Sequence, residues 1–487
     1  MLGANPGIIA LARFLKSRPR FDAISLPIDD PEERESVLNA IAEGKELLSF
    51  RVAGRLLIQD AQIRQWWAGR VAKMRDDVCR MLPDGEDSYQ RGAGPLAEYH
   101  PAIFSSVPLF SYDKAPFMSF GMGRQTTRLR LDTSEKMASV LNWLMNDGSS
   151  SLKLGEYTAV FWAATDDRPV LVDFAPLLDA GDPLAVRDFL RGPWSGMERE
   201  LDTAKFHAAL LRKSGKGRFA VSSWHTDTLD IVRQNLKAWF RAIEVSSIQS
   251  SEHVFNTIRE LTECTVRKSR NTPPLPTTYQ SLFDAALFGW PLPQKLLAAV
   301  LARQSLEMAK GTDRKKRNIF ESRLTARTAL VKAYFAHKKG TPMHESTHPD
   351  LDRGYVCGRL LAMLDKIHVQ AHRDSGGTNS SPANRSYGTA STTPALIFPQ
   401  LFKLARHHLN KIGRGWAYRL EYGYDNPPFE GLAAICARLR TVGAEFPKTL
   451  SLEEQGRFAI GFYYERCRIW PTKDETGTVE TTTNDLN

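Results

Sequence analysis

The segment His344-Glu345-Ser346-Thr347-His348 has the H-E-x-x-H spacing with which zinc hydrolases set two imidazoles and a glutamate base on one helix face. That chemistry requires the helix to persist through both histidines. Gly340 and Pro342 come just before the motif, and Pro349 follows His348 directly. A residue preceding proline is pushed out of the helical region, so His348 makes a poor helical ligand. The stretch reads as a polar linker, and a zinc hydrolase using His344 and His348 stands only as the enzymatic alternative. His368 and His372 are four apart on a convincing helical pattern, but no carboxylate at ligand spacing completes a site, so they read as a polar or boundary face. His407-His408 reads as a helix-face pair, with His408 on the apolar side. The chain has no GxxxxGK[ST] phosphate loop, and Gly121-Met122-Gly123-Arg124 is a glycine-rich turn only. Neither a nucleophile elbow nor a nuclease-like carboxylate pair is present. No catalytic residue, metal site or cofactor is assigned, and the sequence favours a binding protein over an enzyme.

The basic residues are more coherent. Arg314-Lys315-Lys316-Arg317 is a dense cluster between two helical patterns, followed by Arg323, Arg327 and Lys332. Arg359, Lys366 and Arg373 recur every seven residues along one side of a helix, and Lys403, Arg406, Asn410 and Arg414 follow at three- and four-residue steps on the next. Such stripes can track a phosphate backbone, although the same pattern also serves as a solvated helix face. The candidate nucleic-acid contacts are therefore Arg314, Lys315, Lys316, Arg317, Arg359, Lys366, Arg373, Lys403, Arg406 and Arg414. Lys and Arg total 65 against 55 Asp and Glu, and this excess of +10 suits a polyanionic partner.

The elements that must carry these residues divide the chain into an α+β arrangement. Residues 1–270 read as mixed α/β. A helix opens at Asp132-Thr133-Ser134-Glu135 and stops at Asn146-Asp147-Gly148; strands follow at Glu156–Trp162 and Arg218–Trp224. The apolar run Leu229 to Val245 fits helix and strand equally. Residues 271–292, beginning Asn271-Thr272-Pro273-Pro274-Leu275-Pro276, read as a proline-containing linker. Residues 293–471 read as a helical bundle, with helices expected at Pro293–Lys310, Phe320–Lys338, Arg353–Arg373, Pro394–Ile412, Phe429–Val442 and Ser451–Trp470. Leu360, Leu364, Ile367 and Ala371 form one apolar stripe, and Asp374–Ser391 reads as a flexible loop. Residues 472–487 are a polar tail too poor in apolar residues to fold alone.

With 42% hydrophobic and 25% charged residues, the composition is that of a soluble globular protein of several domains. The five cysteines are scattered without a CxxC pair, which indicates neither a disulfide framework nor a thiolate zinc site. No signal peptide and no membrane span is expected, so the cytoplasm is the expected location and no membrane partner is assigned.

Further strings in the C-terminal half are specific. Arg323-Leu324-Thr325-Ala326-Arg327-Thr328-Ala329-Leu330-Val331-Lys332-Ala333 is followed by Gly354-Tyr355-Val356-Cys357-Gly358-Arg359-Leu360-Leu361-Ala362-Met363-Leu364, then Asn384-Arg385-Ser386-Tyr387 and Ala390-Ser391-Thr392-Thr393-Pro394. Phe398-Pro399, His407-His408-Leu409 and Glu454-Gln455-Gly456-Arg457-Phe458-Ala459-Ile460-Gly461-Phe462-Tyr463 complete the series. In order and spacing these resemble the large-subunit family of type I-C CRISPR Cascade complexes. His100-Pro101, Phe117-Met118-Ser119-Phe120, Asn142-Trp143-Leu144 and Val160-Phe161-Trp162-Ala163 extend the likeness more loosely, to roughly residues 95–470. Relative to the usual family member the chain looks N-terminally shortened. The resemblance implies a non-catalytic scaffold that reads the motif flanking a DNA target, helps open the duplex and docks a recruited helicase-nuclease. It also implies guide RNA, target DNA and other Cascade subunits as partners, and a C-terminal bundle that resembles the Cascade small subunit and holds the displaced strand. Related systems make that small subunit from the same gene, and Met343 is placed to start such a product. A freestanding helical protein that binds single-stranded nucleic acid is the non-CRISPR alternative.

Overall fold

The computed structural model describes residues 5–17, 30–42, 49–104, 107–111, 127–165, 168–170, 174–175, 178, 183–191, 204–214, 218–248, 253–267, 273–310, 317–339, 352–373, 381–425, 428–441 and 445–469. The chain separates into two compact units, one of Met1–Ala102 with Pro108–Ala138 and one of Ile103–Val107 with Ser139–Asn487.

In the first unit, α1 (Pro6–Lys16) and α2 (Pro31–Ala42) precede α3 (Ala61–Met81). Asn5 Oδ1 accepts from the N–H groups of Gly7 and Ile8 and so starts α1, while Asp60 accepts from Ile63 N at 3.0 Å and starts α3. Asn5 Nδ2 also donates to Asp60 and Gln62, which ties the two helix starts together. α3 buries no residue and exposes Trp66, Trp67, Val71 and Met74. α4 (Leu131–Asn146), whose residues from Ser139 onward belong to the second unit, ends at the expected stop.

The second unit opens with an antiparallel sheet. Its strands are β1 (Ser151–Leu154), β2 (Tyr157–Thr165), β3 (Arg168–Val170), β4 (Lys205–Ser214) and β5 (Arg218–Thr228), in the order β5-β4-β2-β1, with β3 pairing β2. Strand alternation turns Tyr157, Ala159, Phe161 and Ala163 of β2 inward with Phe206, Ala208 and Leu210 of β4. α5 (Pro183–Arg191) follows β3 in sequence. The ambiguous run after β5 is a helix, α6 (Leu229–Ile243), because Leu229, Val232, Leu236, Trp239, Phe240 and Ile243 recur at helical spacing and join the same core.

The rest is helical: α7 (Ile258–Glu263), α8 (Pro276–Phe288), α9 (Gln294–Lys310), α10 (Arg317–Lys339), α11 (Arg353–Ala371), α12 (Pro382–Thr392), α13 (Pro394–Leu409), α14 (Arg414–Tyr422), α15 (Leu432–Thr441) and α16 (Leu452–Ile469). The chain is thus α+β. The segment 271–292 is more than a linker, since α8 lies inside it and buries Leu282, Phe283, Ala286 and Leu287. Pro276 occupies the first helical turn, where its missing N–H costs nothing, and Gly289 closes the helix at φ +66°. The expected loop at Asp374–Ser391 also gives way to a helix in part. Ser381 accepts from Asn384 N, Pro382 follows, and Ala383, Tyr387 and Ala390 are buried. Residues 374–380 and the tail 472–487 lie outside the described residues.

A single cluster of buried side chains runs from Leu152 to Ile469, so sheet and helices share a core across the proline cluster. Its centre is the pair α11 and α16. The expected stripe Leu360, Leu364 and Ile367 is buried, but so is every residue from Gly354 to Asp365, because α11 is covered by α12, α13, α15 and α16 together. Glycines let α11 and α16 touch backbone to backbone: a Cβ on Gly358 would lie 2.0 Å from the Phe458 carbonyl oxygen, and one on Gly461 would lie 2.2 Å from that of Tyr355.

Candidate nucleic-acid interface

α13 turns Phe398, Leu401, Ala405, His408 and Leu409 inward, which leaves Lys403, Arg406 and His407 exposed on its other side. Gly413 then opens α14, where Arg414 is exposed as well. The second basic stripe therefore keeps its charged groups at the surface. Next in the chain comes a feature that charge spacing alone did not reveal. α14 exposes Trp416, Tyr418 and Tyr422, and Tyr424 follows on a short hairpin of Gly423–Asp425 with Pro428–Glu430. The Tyr418 and Tyr422 rings lie 5.1 Å apart, and the Arg419 guanidinium sits 6.0 Å from the Trp416 ring centre and 5.7 Å from that of Tyr424. Exposed rings interleaved with guanidinium groups offer stacking surfaces for bases, next to cations for phosphates. The signal in the sequence was Trp416, Tyr418, Arg419, Tyr422 and Tyr424 in a stretch with Leu420 as its one aliphatic anchor.

The first stripe does not survive as a unit. Arg359 is 7% exposed and held by carboxylates on two sides, with Nε 2.8 Å from Glu465 and Nη2 2.6 Å from Glu430. Its phosphate-contact assignment is withdrawn. A seven-residue spacing fixes one side of a helix but not whether that side faces water, and here the hairpin and α16 bring Glu430 and Glu465 to it. Arg438 also binds Glu430, and Arg468 bonds Glu465 at 2.6 Å. Burial alone would raise the Glu430 carboxyl, but the bonds from Arg359 and Arg438 draw it down to about 2. Lys366 is partly buried, and burial first, then Arg373 and Arg466, lowers its ammonium to about 8. Arg373 is exposed at the end of the same stripe.

The remaining basic residues divide in the same way. Arg323 and Arg327 converge with Arg303 on Glu307 at 3.0, 2.5 and 2.8 Å, and Lys332 donates to the Glu244 carbonyl, so these cations cross-link the core. Arg314, Lys315 and Lys316 lie outside the described residues, and so does the side chain of Arg317, which begins α10. Met343, His344 and His348 lie outside them too.

Two further clusters combine residues distant in sequence. On the outer face of the sheet Trp162 stacks on His207 at 5.2 Å and meets the exposed Trp224 edge-on at 5.4 Å. At the end of α11, His368 and His372 meet His408 of α13; one nitrogen from each lies within 4.8 Å of the others. Burial, followed by neighbouring cationic and imidazole groups, pushes both His368 and His408 down to about 4. The first pair was legible as i, i+4; the third member depends on how α11 and α13 pack.

Among the described residues no helix is long and apolar enough to cross a membrane. A family described as CRISPR-associated protein (Cas_Csd1) matches residues 2–470 of the chain. No curated protein matches it.

Proposed function

The chain belongs to the CRISPR-associated protein (Cas_Csd1) family, and from that membership we propose that it is the large subunit of a type I-C Cascade complex. In this reading it is a non-catalytic, cytoplasmic scaffold that binds target DNA beside the guide RNA and other subunits, and docks the recruited helicase-nuclease. Guide pairing reads sequence, while the protein reads the flanking motif and the nucleic-acid backbone. The observation that supports strand binding best is the set of exposed residues on the successive helices α13 and α14, Lys403 and Arg406 on the first and Arg414, Trp416, Tyr418 and Arg419 on the second. Such a surface suits the displaced single strand, whose phosphates need cations and whose unpaired bases can stack.

Each phosphate neutralised on a single strand contributes about 0.7 to the slope of log affinity against log salt. Replacing Lys403, Arg406 and Arg414 together by alanine should therefore flatten that slope by about 2 in the assembled complex. Trp416→Ala should weaken target binding by about 5- to 150-fold, the loss of one stacked base, with little change in slope. Fluorescence anisotropy with labelled target over a salt series reads both. Unchanged affinity and slope would reduce the surface to a solvated face, and failure to assemble would make it a subunit interface. Tight single-strand binding by a chain that never associates with guide RNA or other subunits would favour the freestanding alternative.

A separate small subunit started at Met343 would run to Asn487 and carry α11 to α16. Mass spectrometry of the purified complex should show this fragment. Its absence, together with no effect of synonymous recoding around Met343, would dispose of it.

A further inference from the structure

We propose that His368, His372 and His408 bind one zinc ion, which fastens the end of α11 to α13. The three rings pack with centroids 4.4, 4.9 and 5.0 Å apart, and their nearest ligand-capable nitrogens fall within 4.8 Å of one another. His368 Nδ1 and His408 Nε2 are 3.1 Å apart. Two nitrogens on a tetrahedral zinc with Zn–N of about 2.0–2.1 Å are separated by roughly 3.3 Å, so this pair already has ligand spacing.

His372 supplies the third position. Its Nδ1 lies 2.9 Å from the His368 carbonyl oxygen, an acceptor only, so Nδ1 carries the proton and Nε2 the lone pair. A backbone carbonyl that fixes the tautomer in this way is the usual support of a metal-bound histidine. His372 is also the C-cap of α11 and is partly exposed, so its ring can shift by the ångström or so that closure requires.

A second observation, the burial of His408, is independent of this spacing. His408 is 8% exposed, and its Nε2 is the nitrogen turned toward His368 Nδ1. A buried imidazole on the apolar side of α13 is a costly choice for packing alone. An all-nitrogen donor set fits zinc and excludes magnesium and calcium, which take oxygen. Three protein ligands leave a fourth position for water on the partly exposed His372 side. Arg385 acts on His368, and Lys411 and His407 act on His408, so these described neighbours set positive charge beside the dication. The affinity should accordingly lie near micromolar, well short of that of closed cysteine sites.

The test uses the full chain, stripped with chelator and titrated with zinc chloride against a chromophoric chelator. One equivalent should bind, cobalt should give the visible absorption of a four-coordinate site, and the thermal midpoint should rise in zinc. His372→Ala, at a partly exposed position, should weaken binding at least tenfold with an unchanged far-UV spectrum; His372→Gln should do the same and preserves side-chain bulk. His344→Ala combined with His348→Ala should bind as the parent does. The proposal is overturned if the parent binds no stoichiometric zinc, if both His372 variants bind as the parent does, or if only the His344/His348 variant loses the metal.

Discussion

Gly358→Ala should destabilise the chain by about 3 kcal/mol or more and lower its thermal midpoint by about 5 °C or more, the largest effect expected of any single methyl group here. The added Cβ would meet the Phe458 carbonyl oxygen at 2.0 Å and the Phe462 nitrogen at 2.7 Å, both backbone atoms that no side-chain rotation can move. α11 and α16 would have to separate. Gly354 and Gly461 make the same demand from either side, at 2.3 Å from the Glu454 oxygen and 2.2 Å from the Tyr355 oxygen, so the separation has nowhere to be absorbed. Alanine favours a helix over glycine by about 1 kcal/mol, which offsets only part of the cost. Gly69→Ala in α3 is the control: nothing lies within 4 Å of its Cβ position, and it should gain about that propensity. Circular-dichroism melts read both, and a Gly358→Ala protein that melts at or above the parent would contradict the close approach of the two helices.

The second large effect concerns Arg359. Arg359→Ala leaves Glu465, itself 2% exposed, with Arg468 alone, and should cost about 3–5 kcal/mol, as breaking one side of a buried ion pair generally does. The salt slope of target binding should not change, which separates this arginine from Arg406 and Arg414. The pH dependence has a definite sign. Glu430 falls from 4.5 to about 2 on folding, so its contribution is fully present above pH 4.5 and is lost as the pH falls toward 2. The stability gap between parent and Arg359→Ala should therefore narrow over that window. A gap constant from pH 6 to pH 2.5 in denaturant titrations would show that Glu430 is not held by Arg359.

Arg359 also shows where sequence reasoning stops. Periodicity placed α9, α10, α11, α13, α15 and α16 to within a few residues, since an apolar side such as that of α11 or α13 repeats on itself and needs no partner to be seen, whereas the run that forms α6 fitted helix and strand equally. What surrounds a helix is set by elements far away in sequence, so a basic stripe looked the same whether it met water, as at Lys403 and Arg406, or Glu430 and Glu465, as at Arg359. The helices α8 and α12 were hidden for a related reason. Proline and small polar residues argue locally for loops, and it is burial of Phe283 and Tyr387 that overrides them. The histidine trio is the same case in miniature, with two members four residues apart and the third supplied by packing.

The placement of α16 bears on how the chain is made. This last described helix is the inner partner of α11, and its Tyr463 hydroxyl donates to the Ser246 carbonyl oxygen at 2.6 Å, across 217 positions of sequence. At about 5–20 residues per second, a ribosome delivers Tyr463 some 10–40 s after Ser246. Throughout that interval the sheet, and each helix from α8 to α13 once it has been made, lacks the helix that completes the centre of the unit. Closure of the larger unit consequently waits for the synthesis of α16, well after its sheet has been made.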